Sequence, residues 1–157
     1  MKPYAESASL RRGSGFTLLE VLVAMVVLSI GLLGLSGLQT SSLRNNHSAF
    51  LRSQATLASN DIIDRMRANS DSALAGDYDI DYTDPTPAAG CSGTCADAAA
   101  VASTDLNEWR SYVERLPDGE SQIDVPVPGE PNVAEVRVRW GDARDGTQLE
   151  IRTRVQL

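Results

Sequence analysis

From Val21 to Leu38 the chain runs for 18 residues without a charge, and almost every side chain in the run is apolar. As a helix this segment spans roughly 27 Å, just enough to cross the hydrocarbon core of a bilayer. A secretory signal would have a shorter apolar core and a small-residue cleavage site, whereas this run passes directly into a further helical pattern. Arg11 and Arg12 precede it and predict a cytoplasmic N-terminal end. Whatever follows Leu38 is then expected on the far side of the membrane.

Charge placement divides the chain into four parts: 1–15, polar and basic; 16–38, apolar; 39–69, polar and helix-like; and 70–157, rich in Gly, Pro and Asp. The whole chain carries −7, but residues 1–15 hold Lys2, Arg11 and Arg12 against Glu6. Without them the balance is 11 basic to 20 acidic residues, and the acidity lies in the middle: +1 for 16–69, −11 for 70–132 and +1 for 133–157. An acidic chain with no Lys after Lys2 is a poor phosphate neutraliser, so no nucleic-acid partner is expected. One His, two Cys and no Gly-rich phosphate loop leave little for a zinc site, a His-based triad or a nucleotide enzyme. No catalytic residue, cofactor or metal is therefore assigned.

Glu20 stands at the mouth of the apolar run. An unpaired carboxylate there costs at least a few kcal/mol, so its position calls for a functional explanation. The string Arg11-Arg-Gly-Ser-Gly15-Phe16-Thr-Leu-Leu-Glu20-Val21 closely resembles the type IV prepilin recognition sequence. The resemblance implies that prepilin peptidase cuts after Gly15, that Phe16 becomes the N-methylated new N-terminus, and that residues 1–15 are a leader. It also implies that Glu20 pairs with an N-terminal amine, in a neighbouring subunit or its own, so that two costly charges cancel in a low-dielectric filament core. Such pairs contribute more to register than to net stability.

Gly31, Gly34 and Gly37 recur every third residue in this helix. Close packing of neighbouring helices, local unwinding during assembly as in many pilins, and the general frequency of Gly in membrane helices all account for them. No Pro occurs between Phe16 and Asp84, so the Pro kink of many major pilins is absent. Beyond Leu38, the residues Leu43, Phe50, Leu51, Ala55, Ala58, Ile62 and Met66 form one apolar stripe. A single helix from about Phe16 to about Asn69 would be roughly 80 Å long, with a soluble domain packed on its C-terminal half. His47 has no ligating residue at helical spacing and reads as a polar-face residue.

Asp61-Ile-Ile-Asp-Arg-Met-Arg-Ala-Asn69 carries the pairs Asp61 with Arg65 and Asp64 with Arg67, each worth a few tenths of a kcal/mol. The stretch is similar to one found in the PilV group of minor pilins, the type IV pilus modification proteins. In that group the apolar helix, this run, a later Cys, a Trp helix and a Leu-Pro-x-Gly turn come in the same order.

In Gly76 to Asp84, Tyr78, Ile80 and Tyr82 alternate with Asp77, Asp79 and Asp81. The spacing lacks the Gly and distal Glu of an EF-hand, so a solvated edge strand or loop is favoured over a calcium site. Cys91 and Cys95 lie in a loop on the oxidising side of the membrane, where a small disulfide between them is expected. A short amphipathic helix is predicted over 104–116, with Thr104 or Asp105 as N-cap, Trp109 as core anchor and Pro117-Asp-Gly119 as stop. A strand at about Gln122 to Val127 precedes a hairpin over 133–157, in which Ala134, Val136, Val138 and Trp140 alternate with Glu135, Arg137 and Arg139.

The expected fold is α+β and pilin-like: a long N-terminal helix packed on a small antiparallel head. The resemblance implies a structural minor pilin that initiates or modulates type IV pili, and through them twitching motility and adhesion. Its expected partners are prepilin peptidase, other minor pilins, the major pilin and the assembly machinery. It would sit in the inner membrane with a periplasmic head before reaching the pilus and cell surface. A type II secretion pseudopilin, which shares leader and helix, is the alternative.

Overall fold

A computed structural model of the chain describes residues 17–157 except 92, 96 and 143. Two compact units divide it, Met1–Ser41 and Ser42–Leu157. Helix α1 (Leu18–Ala68) contributes residues to both. It runs without interruption through Gly31, Gly34 and Gly37, where an added Cβ would meet nothing within 4 Å.

In the first unit every described side chain is exposed. The Ser29 and Thr40 hydroxyls donate to the carbonyls of Met25 (2.7 Å) and Ser36 (3.0 Å), so these two hydroxyls are satisfied within the helix. Internal satisfaction of this kind is what an apolar surrounding demands.

The second unit buries one face of α1, formed by Leu51, Ala55, Ala58, Ser59, Ile62, Ile63 and Met66. The apolar stripe read from the sequence needs correction here. Leu43 and Phe50 are 69% and 56% exposed, and Ser59 and Ile63 are in the core instead. Ser59 is tolerated because its hydroxyl donates to Ala55 O at 3.0 Å.

After Asn69 comes a helix that the sequence reading did not contain, α2 (Ser70–Ala75). Gly76 closes it with φ 93°, a left-handed conformation that glycine adopts without strain, while the Gly76 and Asp77 N–H groups return to Ala73 O and Ser72 O.

Helix α3 (Ala98–Val113) begins six residues before the expected start. Its cap is Asp97, whose Oδ1 accepts from Ala100 N at 2.7 Å, and the Ala-rich turn that follows favours helix. Thr104, offered as a cap by the sequence, lies inside the helix and donates back to Ala100 O. The predicted stripe of Leu106, Trp109, Val113 and Leu116 is buried. The helix stops at Val113, and the turn to Gly119 is so tight that an added Cβ there would lie 2.0 Å from Val113 O.

The sheet is an antiparallel meander of β1 (Glu120–Asp124), β2 (Val133–Gly141) and β3 (Gln148–Gln156), in spatial order β1-β2-β3. β1 starts two residues earlier than expected and ends before Pro126, which has no N–H for a ladder. In β2, Ala134, Val136, Val138 and Trp140 are buried in one core cluster with Trp109, Tyr78, Ile62 and Met66, and their alternation matches the pattern in the sequence. The architecture is α+β, a long N-terminal helix with a small three-stranded antiparallel sheet.

Candidate functional site

Glu20 occupies the first turn of α1. Thr17 sets its place: the Glu20 N–H donates to Thr17 Oγ1 at 3.2 Å and to Thr17 O at 3.1 Å. Thr17-Leu-Leu-Glu20 has the Thr-x-x-Glu spacing of a capping box, a signal present in the sequence but not used in reading it. Glu20 borders a shallow groove with Val21, Ala24, Met25 and Leu28, where the small Ala24 leaves a notch between larger neighbours. Among the described residues its carboxylate has no hydrogen-bonded partner, and the apolar side chains around it are exposed. This helix end thus presents one acceptor-only charge on an apolar surface, an arrangement suited to a cation brought from outside the described residues. Gly15 and Phe16, read as the processing site, lie outside the described residues.

The second unit gathers its charges into pairs. Arg65 is the centre of one set: it donates Nε to Asp61 at 3.1 Å and Nη1 to Asp105 at 3.0 Å and Glu108 at 2.8 Å. Burial opposes its charge, yet the bonds to Glu108 and Asp105 and the field of Asp61 prevail and hold its pKa above the ordinary value. Asp105 also accepts from Tyr78 OH at 2.6 Å, and Asn69 Nδ2 donates to Tyr78 OH and to Ala98 O. Burial, then the Asp105 bond, pushes the Tyr78 phenol up. Sequence spacing had offered only the pairs within α1; both exist, with Arg67 to Asp64 at 3.4 Å.

The acidic segment 77–84 is more than a solvated loop. Tyr78 and Ile80 are buried, and Ile80 bridges Ile123 of β1. Buried Arg110 donates Nη2 to the carbonyls of Asp81 and Tyr82, both at 3.0 Å. Tyr82 lies under the Arg139 guanidinium, 3.8 Å from ring centroid to Cζ, and donates to Glu150 at 3.2 Å; burial raises its pKa to about 12. Burial likewise raises Asp79, with Asp124, Asp84 and Asp81 adding to it against the Val125 N–H. Among the described residues no three His, Cys, Asp or Glu are grouped to hold a metal.

Cys91 and Cys95 form a disulfide, Cα to Cα 5.0 Å, and Cys91 N donates to Thr104 Oγ1 at 3.1 Å. His47 is exposed on α1 and lines a groove with Phe50, Gln54 and Tyr112. On the outer face of the sheet Arg137 pairs with Glu135 and Asp124, Arg139 and Arg152 with Glu150, and Arg154 with Glu130 and Glu135. The Arg-rich face is thereby largely neutralised.

Among the described residues one helix, α1, is long and apolar enough to cross a membrane, and its apolar window is unburied. Neither the comparison with curated proteins nor that with solved structures finds a match. Residues 10–36 match the family model described as the prokaryotic N-terminal methylation motif, which takes in Gly15, Phe16 and Glu20. With that motif at the head of an apolar helix and a small antiparallel sheet beyond it, the chain pairs a prepilin-type methylation motif with an α+β, pilin-like architecture.

Proposed function

We propose that this chain is a minor pilin, a structural subunit that initiates or modulates type IV pilus assembly. It is made as an inner-membrane precursor with its N-terminus in the cytoplasm and its head in the periplasm. Prepilin peptidase removes residues 1–15, Phe16 is N-methylated, and the subunit moves from the bilayer into a pilus or a complex that primes one. The observation that carries this reading is Glu20: a carboxylate in the first turn of an exposed apolar helix, with no hydrogen-bonded partner among the described residues. In lipid or in a filament core that charge is costly alone and tolerable beside a cation. Cleavage at Gly15 creates such a cation, the amine of Phe16, four residues from Glu20. Subunits whose amines and carboxylates meet settle in one axial register, because any other register leaves both charges unpaired. The head carries no catalytic step in this account.

The test is deletion with imaging of surface pili and assay of protein secretion, complemented by wild type and by Glu20→Ala. Loss of pili with secretion intact supports the minor pilin, whereas loss of secretion with pili intact identifies a type II secretion pseudopilin. Glu20→Ala is expected to be made and cleaved normally, as mass spectrometry of the mature N-terminus will read, yet to be depleted from sheared pili. Normal incorporation of that variant would remove the role assigned to Glu20.

A further inference from the structure

The two edges of the sheet differ. β1 is covered: Ile80 N donates to Ile123 O at 3.0 Å and Ile123 N to Ile80 O at 2.9 Å. β3 has no neighbour beyond β2 among the described residues. Hydrogen bonds at both ends of the β2·β3 ladder, Leu157 N to Asn132 O at 2.9 Å and Asp142 N to Thr147 O at 2.7 Å, fix which peptide groups face inward. By the alternation of antiparallel pairing, Leu149, Ile151, Thr153 and Val155 bond to β2, while Gln148, Glu150, Arg152, Arg154 and Gln156 turn their N–H and C=O groups outward. The register is unbroken over nine residues, without Pro, Gly or bulge. Among the described residues charge is the device that blunts this edge strand.

We propose that β3 pairs antiparallel with β3 of a second copy about a two-fold axis, joining two heads into one six-stranded sheet. The charges choose the register. With Ile151 on the axis, Glu150 faces the partner's Arg152 and Arg152 faces the partner's Glu150, while Arg154 faces the partner's Gln148. Moving the axis to Arg152 or Thr153 sets Arg against Arg, and moving it to Glu150 sets Glu against Glu. On the core side the half-buried Ile151 meets the partner's Ile151, and Leu149 faces the partner's Thr153 with the partner's Ile151 and the partner's Val155 diagonal to it, so these side chains gain cover. The same patch serves both copies, as a closed two-fold contact requires.

The test uses the full mature chain in detergent, followed by sedimentation. The wild type is expected to be a dimer. Arg152→Pro removes an outward N–H from each copy without touching the β2 ladder, and should weaken association by about tenfold or more. The apolar helix is the same in both chains, so equal association of Arg152→Pro and wild type would assign any dimer to the helix and overturn the proposal, as would a monomeric wild type. Unchanged near-ultraviolet circular dichroism shows that the variant is folded. Register is read by oxidation of Ile151→Cys, which should cross-link to itself, because a non-hydrogen-bonded pair brings Cα atoms to about 4.5 Å. Leu149→Cys and Thr153→Cys should cross-link when mixed and not singly. Equal cross-linking at all three positions would overturn the register.

Discussion

Arg65 of α1 reaches Asp105 of α3, Nη1 to Oδ1, at 3.0 Å, and the same carboxylate accepts the Tyr78 hydroxyl through its other oxygen. One carboxylate thus holds the end of the long helix, the second major helix and the acidic segment together. Arg65→Met leaves Asp105 half-satisfied in a mostly buried place and is expected to cost about 2 kcal/mol, read as a lower urea midpoint with unchanged slope. Arg67→Met removes only the exposed contact to Asp64 and should stay within about 0.5 kcal/mol. Equal costs for the two would show that Arg65 acts only along its own helix.

Trp109 fills the centre of the core and donates Nε1 to Ala58 O at 2.9 Å across to α1. Trp109→Ala leaves a large cavity and should cost about 3–5 kcal/mol in thermal or chemical melts. Trp109→Phe keeps most of the volume but loses the bond, for about 1–2 kcal/mol.

Glu150 accepts from Arg139 at 2.6 Å and also from Arg152 and Tyr82. The Arg139 bond, working against burial and aided by Arg152 and Tyr82, lowers its pKa from 4.5 to about 2. A depressed carboxylate stabilises the fold fully above its unfolded pKa and loses that contribution as pH falls through the folded value. Glu150→Gln should therefore melt below wild type at pH 7, with the gap closing between pH 4.5 and about 2. A gap that persists unchanged at pH 2 would refute the assignment.

The disulfide joins residues only four apart in sequence, so the loop it closes is short. Chain-entropy reasoning gives such a bridge about 2 kcal/mol. The double substitution Cys91→Ser and Cys95→Ser should lower stability by about that amount while Trp109 and Trp140 keep their near-ultraviolet signals. A collapse of those signals would mean that the loop organises the core.

The sequence by itself determined the parts whose signal is local. Eighteen uncharged residues make a membrane-length helix wherever they are placed, the motif around Gly15 and Glu20 lies in consecutive residues, and strict alternation over 133–157 admits one buried face of a hairpin. Even the cap of α3 was locally written, in Asp97 before an Ala-rich turn, although Thr104 and Asp105 offered a competing start. Tertiary structure decided what distance along the chain conceals. Leu43 and Phe50 look like core at helical spacing, yet burial depends on what packs opposite, and there they remain exposed. Asp61 to Asn69 reads as a run of helix-surface ion pairs, but Arg65 finds Asp105 40 residues away because the fold of α3 brings it there. The alternating Asp segment has the period of a solvated strand, and only the open side of β1 and the buried Arg110 turn it into an anchored edge. Periodicity states which side of an element is apolar; which other element meets that side is a non-local choice that only packing makes.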